Sequence, residues 1–207
     1  MLILQNLSYL HPNKDLLFDN INLTVNRHEK IALIGNNGSG KSTLLKLIAG
    51  ELEASGGRLT LDETPYYVPQ IFGQYNHLTI AQALGIENKL KALKEILAGN
   101  GTEAAYTMLD NDWTIEKRTN DALEYWQLTH LDLLQKLETL SGGQKTKVFL
   151  AGISIHQPEL VLLDEPSNHL DDAGRQLLYH YIKSTQSTLV LVSHDRTLLN
   201  LISTICK

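Results

Sequence analysis

Apolar positions along the chain fall into two kinds of short run, and the difference between them predicts the architecture. Ile21, Leu23 and Val25 alternate with Asn22 and Thr24, and Leu2 and Leu4 open the chain in the same period. Alternation of this kind marks strands with one face buried, the usual state of an antiparallel sheet. Ile31 to Ile34, Leu160 to Leu163 and Leu189 to Val192 are continuously apolar instead. Unbroken runs of that length suit parallel strands covered by helices on both faces. Another short strand is expected over Tyr66 to Val68. Leu44, Leu45, Leu47 and Ile48 follow at helical spacing until Gly50 stops the helix. These elements predict an α/β fold: a mixed or parallel sheet core accompanied by an antiparallel β subdomain.

From Gln70 to Leu140 the pattern becomes helical, with breaks at glycine and asparagine. Helices are expected around Ile80 to Leu84, Glu87 to Leu97, Glu103 to Leu109 and Asn120 to Leu128. This is read as an α-helical subdomain, approximately residues 71–139, inserted within one domain spanning 1–207. A further helix, roughly Gln144 to Ile155, stops near Pro158, because proline disfavours a helical residue before it. A chain of 207 residues suits one such domain and should bury about 70% of its unfolded surface.

A formal charge of −5 argues against coating nucleic acid by charge alone, which needs clustered Lys and Arg. Lys89, Lys91 and Lys94 read as the solvated face of a helix. The single cysteine, Cys206, makes no intrachain disulfide, which fits a reducing compartment. No apolar stretch is long enough to cross a bilayer. The expectation is a cytoplasmic protein without a membrane partner.

Gly35, Asn36, Asn37, Gly38, Ser39, Gly40, Lys41, Ser42 and Thr43 match G-x-x-x-x-G-K-[ST]. In that loop backbone N–H groups close around phosphates, the lysine adds charge and the hydroxyl reaches Mg²⁺. The loop sits between an apolar run and a helix, so the helix also turns its positive end toward the anion. ATP and Mg²⁺ are the implied cofactors. Asp164 and Glu165 follow the buried run Leu160 to Leu163, where open parallel sheets place their ligands. Asp164 would hold the metal, and Glu165 would orient or deprotonate the water that attacks the γ-phosphate. His194, after Leu189 to Val192, is expected at the same sheet edge within reach of that phosphate, and Gln70 near the metal or the water. Ser141, Gly142, Gly143 and Gln144 complete LSGGQ ahead of a helix, and their bare backbone N–H groups can approach an anion held elsewhere.

In their order along the chain, Gly35 to Thr43, Gln70, Leu140 to Gln144, Leu160 to Glu165 and His194 resemble an ATP-binding cassette (ABC) domain over nearly the whole sequence. The resemblance implies, in turn, a Walker A loop, Q-loop, signature, Walker B motif and switch histidine. Two such domains sandwich ATP head to tail, so a second cassette is the implied partner and hydrolysis of ATP to ADP and phosphate the implied reaction. EPSNHLDD, Glu165 to Asp172, is similar to the ABC-F group, which joins two cassettes in one chain and acts on ribosomes and their RNA during translation. By that resemblance Asp171 is a D-loop acid at the dimer seam, and the chain is the N-terminal cassette of a longer protein. Tyr9 stands where the family stacks an aromatic ring on adenine; packing into the first strand is the other reading. Lys147 stands where arginine is common, Ser167 where threonine is frequent, and Arg27-His28-Glu29 lacks the usual turn glycine. Two alternatives stay open: the nucleotide-binding subunit of a membrane transporter, or a nucleotide-gated interaction module that hydrolyses little in isolation.

Overall fold

The computed structural model describes residues 1–206. The chain runs through β1 (Leu2–Leu10), β2 (Leu16–Val25), β3 (Lys30–Leu33), α1 (Lys41–Ile48), β4 (Gly56–Leu61) and β5 (Tyr66–Val68). Four helices follow: α2 (Ile80–Ala83), α3 (Glu87–Leu97), α4 (Glu103–Leu109) and α5 (Ile115–Tyr125). The remainder is α6 (Gly142–His156), β6 (Leu160–Asp164), α7 (Asp172–Ser184), β7 (Thr188–Val192), α8 (Arg196–Leu199) and β8 (Thr204–Cys206). Packing divides these into two units.

The first unit comprises Met1–Gln70, Gln157–Asn168 and the chain from Leu178 onward. It holds both sheets. The alternating segments pair as expected into an antiparallel sheet of order β2-β1-β4, with Leu2 opposite Val25 and Leu4 opposite Leu23. The unbroken apolar runs form a parallel sheet of order β5-β6-β7-β3-β8. Every residue of β6 and β7 is buried, which is why neither shows a polar alternation. Leu4 and Val25 of the antiparallel sheet share one core with Leu45 and Ile48 of α1 and Leu162 and Val190 of the parallel sheet. The turn before β3, which lacks its glycine, is made by His28 at φ 64°. That left-handed backbone is unusual for a non-glycine residue. It is held by the His28 N–H donating to Thr188 Oγ1 at 2.9 Å and by the ring Nδ1, 2.6 Å from the Gln186 carbonyl.

The second unit comprises Ile71–His156 and His169–Leu177 and is helical. Helices α3 and α4 run over the residues expected of them. Helix α5 does not: it covers Ile115–Tyr125 rather than Asn120 to Leu128. Ile115, Thr119 and Ala122 lie on one buried stripe, and Thr119 returns its hydroxyl to the Ile115 carbonyl at 2.7 Å. Gln127 at φ 59° then turns the chain out of the helix. Helix α6 begins at Gly142, two residues before the expected start, so the signature glycines are its first turn. No described helix is long and apolar enough to cross a membrane.

Candidate functional site: a phosphate loop at a parallel sheet edge

Strands β3, β5, β6 and β7 lie in one parallel sheet, so their carboxyl ends share an edge, and each delivers a sequence-predicted residue there. Loop Gly35–Gly40 follows β3 and α1 begins at Lys41. Gly40 caps that helix at φ 90°, and a Cβ on it would stand 2.9 Å from Phe18 Cδ1 and 3.0 Å from the Leu17 side chain. Both the backbone angle and the close approach of β2 demand glycine here. Lys41 bends over the loop, its Nζ donating to the carbonyls of Gly35 and Asn36, each at 2.8 Å. A lysine so held has its charge where phosphate oxygens would enter.

Behind the loop, Ser42 Oγ donates to Asp164 Oδ1 at 3.0 Å and Tyr67 OH to Asp164 Oδ2 at 3.3 Å. Asp164 is 2% exposed, and this burial pushes its carboxyl above the ordinary carboxylate range against the pull of those two donors. Glu165 is 8% exposed and is likewise pushed up, chiefly by burial. Its Oε2 accepts the His194 N–H at 3.3 Å, and its Oε1 lies 3.4 Å from His194 Nε2. The His194 loop is fixed from behind by Asp195, which accepts from the N–H groups of Thr197 and Leu198 and from Tyr179 OH at 2.5 Å.

These groups surround a cavity of about 610 Å³ lined by Lys41, Ser42, Thr43, Gln70, Glu165 and His194, together with Asn37 and Gly38 of the loop. Its volume lies within the range of small-molecule and cofactor sites, about 300–1,000 Å³. A hydroxyl, a carboxylate and an amide oxygen are hard donors suited to Mg²⁺, which takes one or two protein carboxylates and completes its shell with water and phosphate. No cluster of three or more His, Cys, Asp or Glu side chains suited to a metal is present among the described residues. The open donor set of Ser42, Asp164 and Gln70 fits a metal that arrives with phosphates.

Tyr9 is not brought to this cavity. It is 9% exposed in the core, its ring centroid 6.2 Å from that of Phe18 and 5.6 Å from that of His11. His11 and Leu17 line the cavity instead. Contributors not singled out from sequence include His11 and Leu17, Tyr67 on Asp164, and Tyr179 behind the His194 loop. Tyr67 and Tyr179 act through partners 97 and 16 residues away, and nothing in the local pattern carries such a pairing.

The signature lies in the second unit. The Ser141 N–H donates to Gln144 Oε1 at 2.9 Å and the Gln144 N–H to Ser141 Oγ at 3.2 Å, a reciprocal cap at the start of α6. Ser141 and Gly142 remain exposed. Asp171 Oδ1 accepts the Gly174 N–H at 2.8 Å and lies 3.4 Å from Lys147 Nζ. The Gly174 hydrogen bond, with Lys147 adding to it, holds the Asp171 carboxyl below its usual value.

A parallel sheet with a glycine loop between β3 and its first helix, and two acids at the end of β6, the strand next but one, defines a phosphate-loop nucleotide-binding fold. Residues 18–168 match the family model described as ABC transporter, and the chain belongs to that family of ATP-binding cassettes. It is 33% identical over 203 residues to the tylosin resistance ATP-binding protein of Streptomyces fradiae, spanning 87% of this chain and 37% of that protein. It is 34% identical over 193 residues to ABC transporter F family member 3 of Arabidopsis thaliana, spanning 93% of this chain and 24% of that one. The relatives thus include ABC-F proteins, and the chain spans well under half the length of either. A solved dimeric structure of a bacterial ABC transporter cassette shares the fold, with a TM-score of 0.71 and 23% identity over 97% of this chain and 91% of that one.

Proposed function

We propose that this cassette binds ATP with Mg²⁺ and hydrolyses it once a second cassette supplies a signature turn, and that it does so as an ABC-F factor working on ribosomes. The observation that supports the hydrolytic reading most is the gathering of Lys41, Ser42, Gln70, Glu165 and His194 around one cavity within one unit, with Asp164 bonded to Ser42 behind it. Loop N–H groups and Lys41 take the β- and γ-phosphates. Ser42, Asp164 and Gln70 hold the metal, which neutralises developing charge on the phosphates when bound. Glu165, with its proton affinity raised by burial, accepts a proton from the attacking water. His194 faces the same carboxyl and fixes its orientation. The start of α6, preset by the Ser141–Gln144 cap and exposed at Ser141 and Gly142, offers the Ser141 hydroxyl and the N–H groups of Gly142 and Gly143 to phosphates held by a partner. For the nucleobase, the exposed His11 and the half-buried Leu17 are the side chains in place, and Tyr9 supports His11 from the core. The division of the chain is one domain carrying its helical second unit.

The ribosomal part of the reading is supported by the ABC-F-like stretch Glu165 to Asp172 and by relatives named for the F family and for tylosin resistance. One experiment tests both parts. Glu165→Gln keeps Lys41 and the metal ligands but removes the base, so ATP affinity should persist while single-turnover hydrolysis slows about 10²–10⁴-fold. Loaded with ATP, this slow form should co-sediment with ribosomes. An unchanged single-turnover rate would remove the hydrolytic role from Glu165. Recovery with membrane subunits in place of ribosomes would favour the transporter reading.

A further inference from the structure

The signature turn is interlocked with a second segment of its own unit, His169–Gly174. A Cβ added to Gly143 would stand 2.6 Å from the His169 carbonyl oxygen, and one on Gly142 would meet the His169 ring at 3.3 Å. His169 makes this approach at φ 65°, a left-handed backbone that a non-glycine residue keeps only when its surroundings enforce it. Two residues on, Asp171 caps α7 by accepting the Gly174 N–H, and the same oxygen faces Lys147 on α6 at 3.4 Å. Lys147 is 12% exposed and cannot swing freely, whereas the Asp171 side chain is 68% exposed. The turn is therefore pinned to α6 at two points, Gly143 and Lys147, with the strained His169 beside the first.

We propose that Lys147 is a positioning residue: its ammonium clasps Asp171 so that the His169–Asp171 turn and the signature tip meet a partner cassette as one preset surface. This rests on the reading that the signature serves a nucleotide held by a partner. On this reading the clasp serves partner engagement, whereas Lys41 and its loop capture the nucleotide. Lys147→Met removes the charge and keeps the apolar stem; Lys147→Arg restores the charge.

Amide exchange on the isolated wild-type chain and its variants tests the clasp without reference to hydrolysis. Lys147→Met should speed exchange of residues 169–175 and of 142–144 together, by about two- to fivefold, the range of a partly exposed ion pair. Lys147→Arg should return both segments to wild-type rates, and in an Asp171→Asn background Lys147→Met should add nothing. In hydrolysis assays across protein concentration, Lys147→Met should raise the concentration giving half-maximal specific activity by a similar factor while leaving ATP affinity unchanged. Unchanged exchange in Lys147→Met, loosening of 169–175 without 142–144, or additivity with Asp171→Asn would each overturn the clasp. A wild-type chain whose specific activity is flat with concentration would instead count against the paired-cassette reading, and the exchange result would still decide the role of Lys147.

Discussion

Glu165 and Asp164 are adjacent carboxyl groups whose burial raises both proton affinities, and the arrangement has a stability consequence that can be measured apart from catalysis. A carboxyl with a raised folded-state value holds its proton more readily folded than unfolded. The folded state then binds more protons between the two values, so stability falls as pH rises through that window and stays low above it. Above the folded-state value the folded chain carries this penalty in full. Lys41 and His194 offset part of it, but the net direction for Glu165 remains upward. Glu165→Gln should therefore raise Tm at about pH 8, because the amide accepts the same His194 contact without a buried charge. The gap from wild type should close as pH approaches the unfolded carboxylate range of about 4. Calorimetric scans over that range test it, and a gap that stays constant or widens on acidification would contradict a buried-charge origin. Functional sites often trade stability in this way, since a desolvated base is more basic and less comfortable than a solvated one.

Helix boundaries illustrate what local pattern can and cannot resolve. The runs that became β6 and β7 were legible because burial on both faces leaves only apolar residues, and the glycine loop because its chemistry is compressed into consecutive positions. Helix α5 was displaced by five residues at its start because Glu116, Lys117 and Arg118 hide a stripe that only packing reveals. Strand β4 was not foreseen: its Gly56-Gly57 start reads as a turn, and it exists because β1 offers it an edge, with Leu2 opposite Leu61. Tyr67, His11 and Tyr179 were missed for the same reason, since each matters through a neighbour brought close by topology. Gln127 at the end of α5 gives a local test. It is exposed and sits at φ 59°, a conformation costing roughly 1–2 kcal/mol for a residue with a Cβ. Gln127→Gly should stabilise by about 0.5–1 kcal/mol once the greater freedom of glycine in the unfolded chain is deducted. For a chain of this length that is a Tm gain of about 1–4 °C. Gln127→Val, β-branched at the same angle, should lower Tm, and the opposite order of the two variants would mean that the turn is not set by its left-handed residue.

The phosphate loop belongs to the first unit and the signature turn to the second, and each has the exposed, preset geometry of a part that acts on something outside itself. On the proposed function, a chain so built is at once half of its own site and half of another's. That duality makes complementation the decisive measurement on the intact protein. Lys41→Ala chains lose the cation that grips phosphates but keep Ser141, Gly142 and Gly143 unaltered. Mixed in excess with dilute wild-type chains, they should raise hydrolysis per wild-type chain, because each wild-type nucleotide gains a partner to close on it. Adding Ser141→Arg to the Lys41→Ala chain should abolish the stimulation, since removal of comparable transition-state donors costs about 10²–10³ in rate. Stimulation must also follow mass action, saturating as the variant concentration passes the dissociation constant of the pair. If the doubly substituted chain stimulates as well as the single one, the signature has no part in hydrolysis across the pair. If neither stimulates while concentrated wild type is active, each chain completes its own site unaided, and the exposed glycine turn serves some other contact.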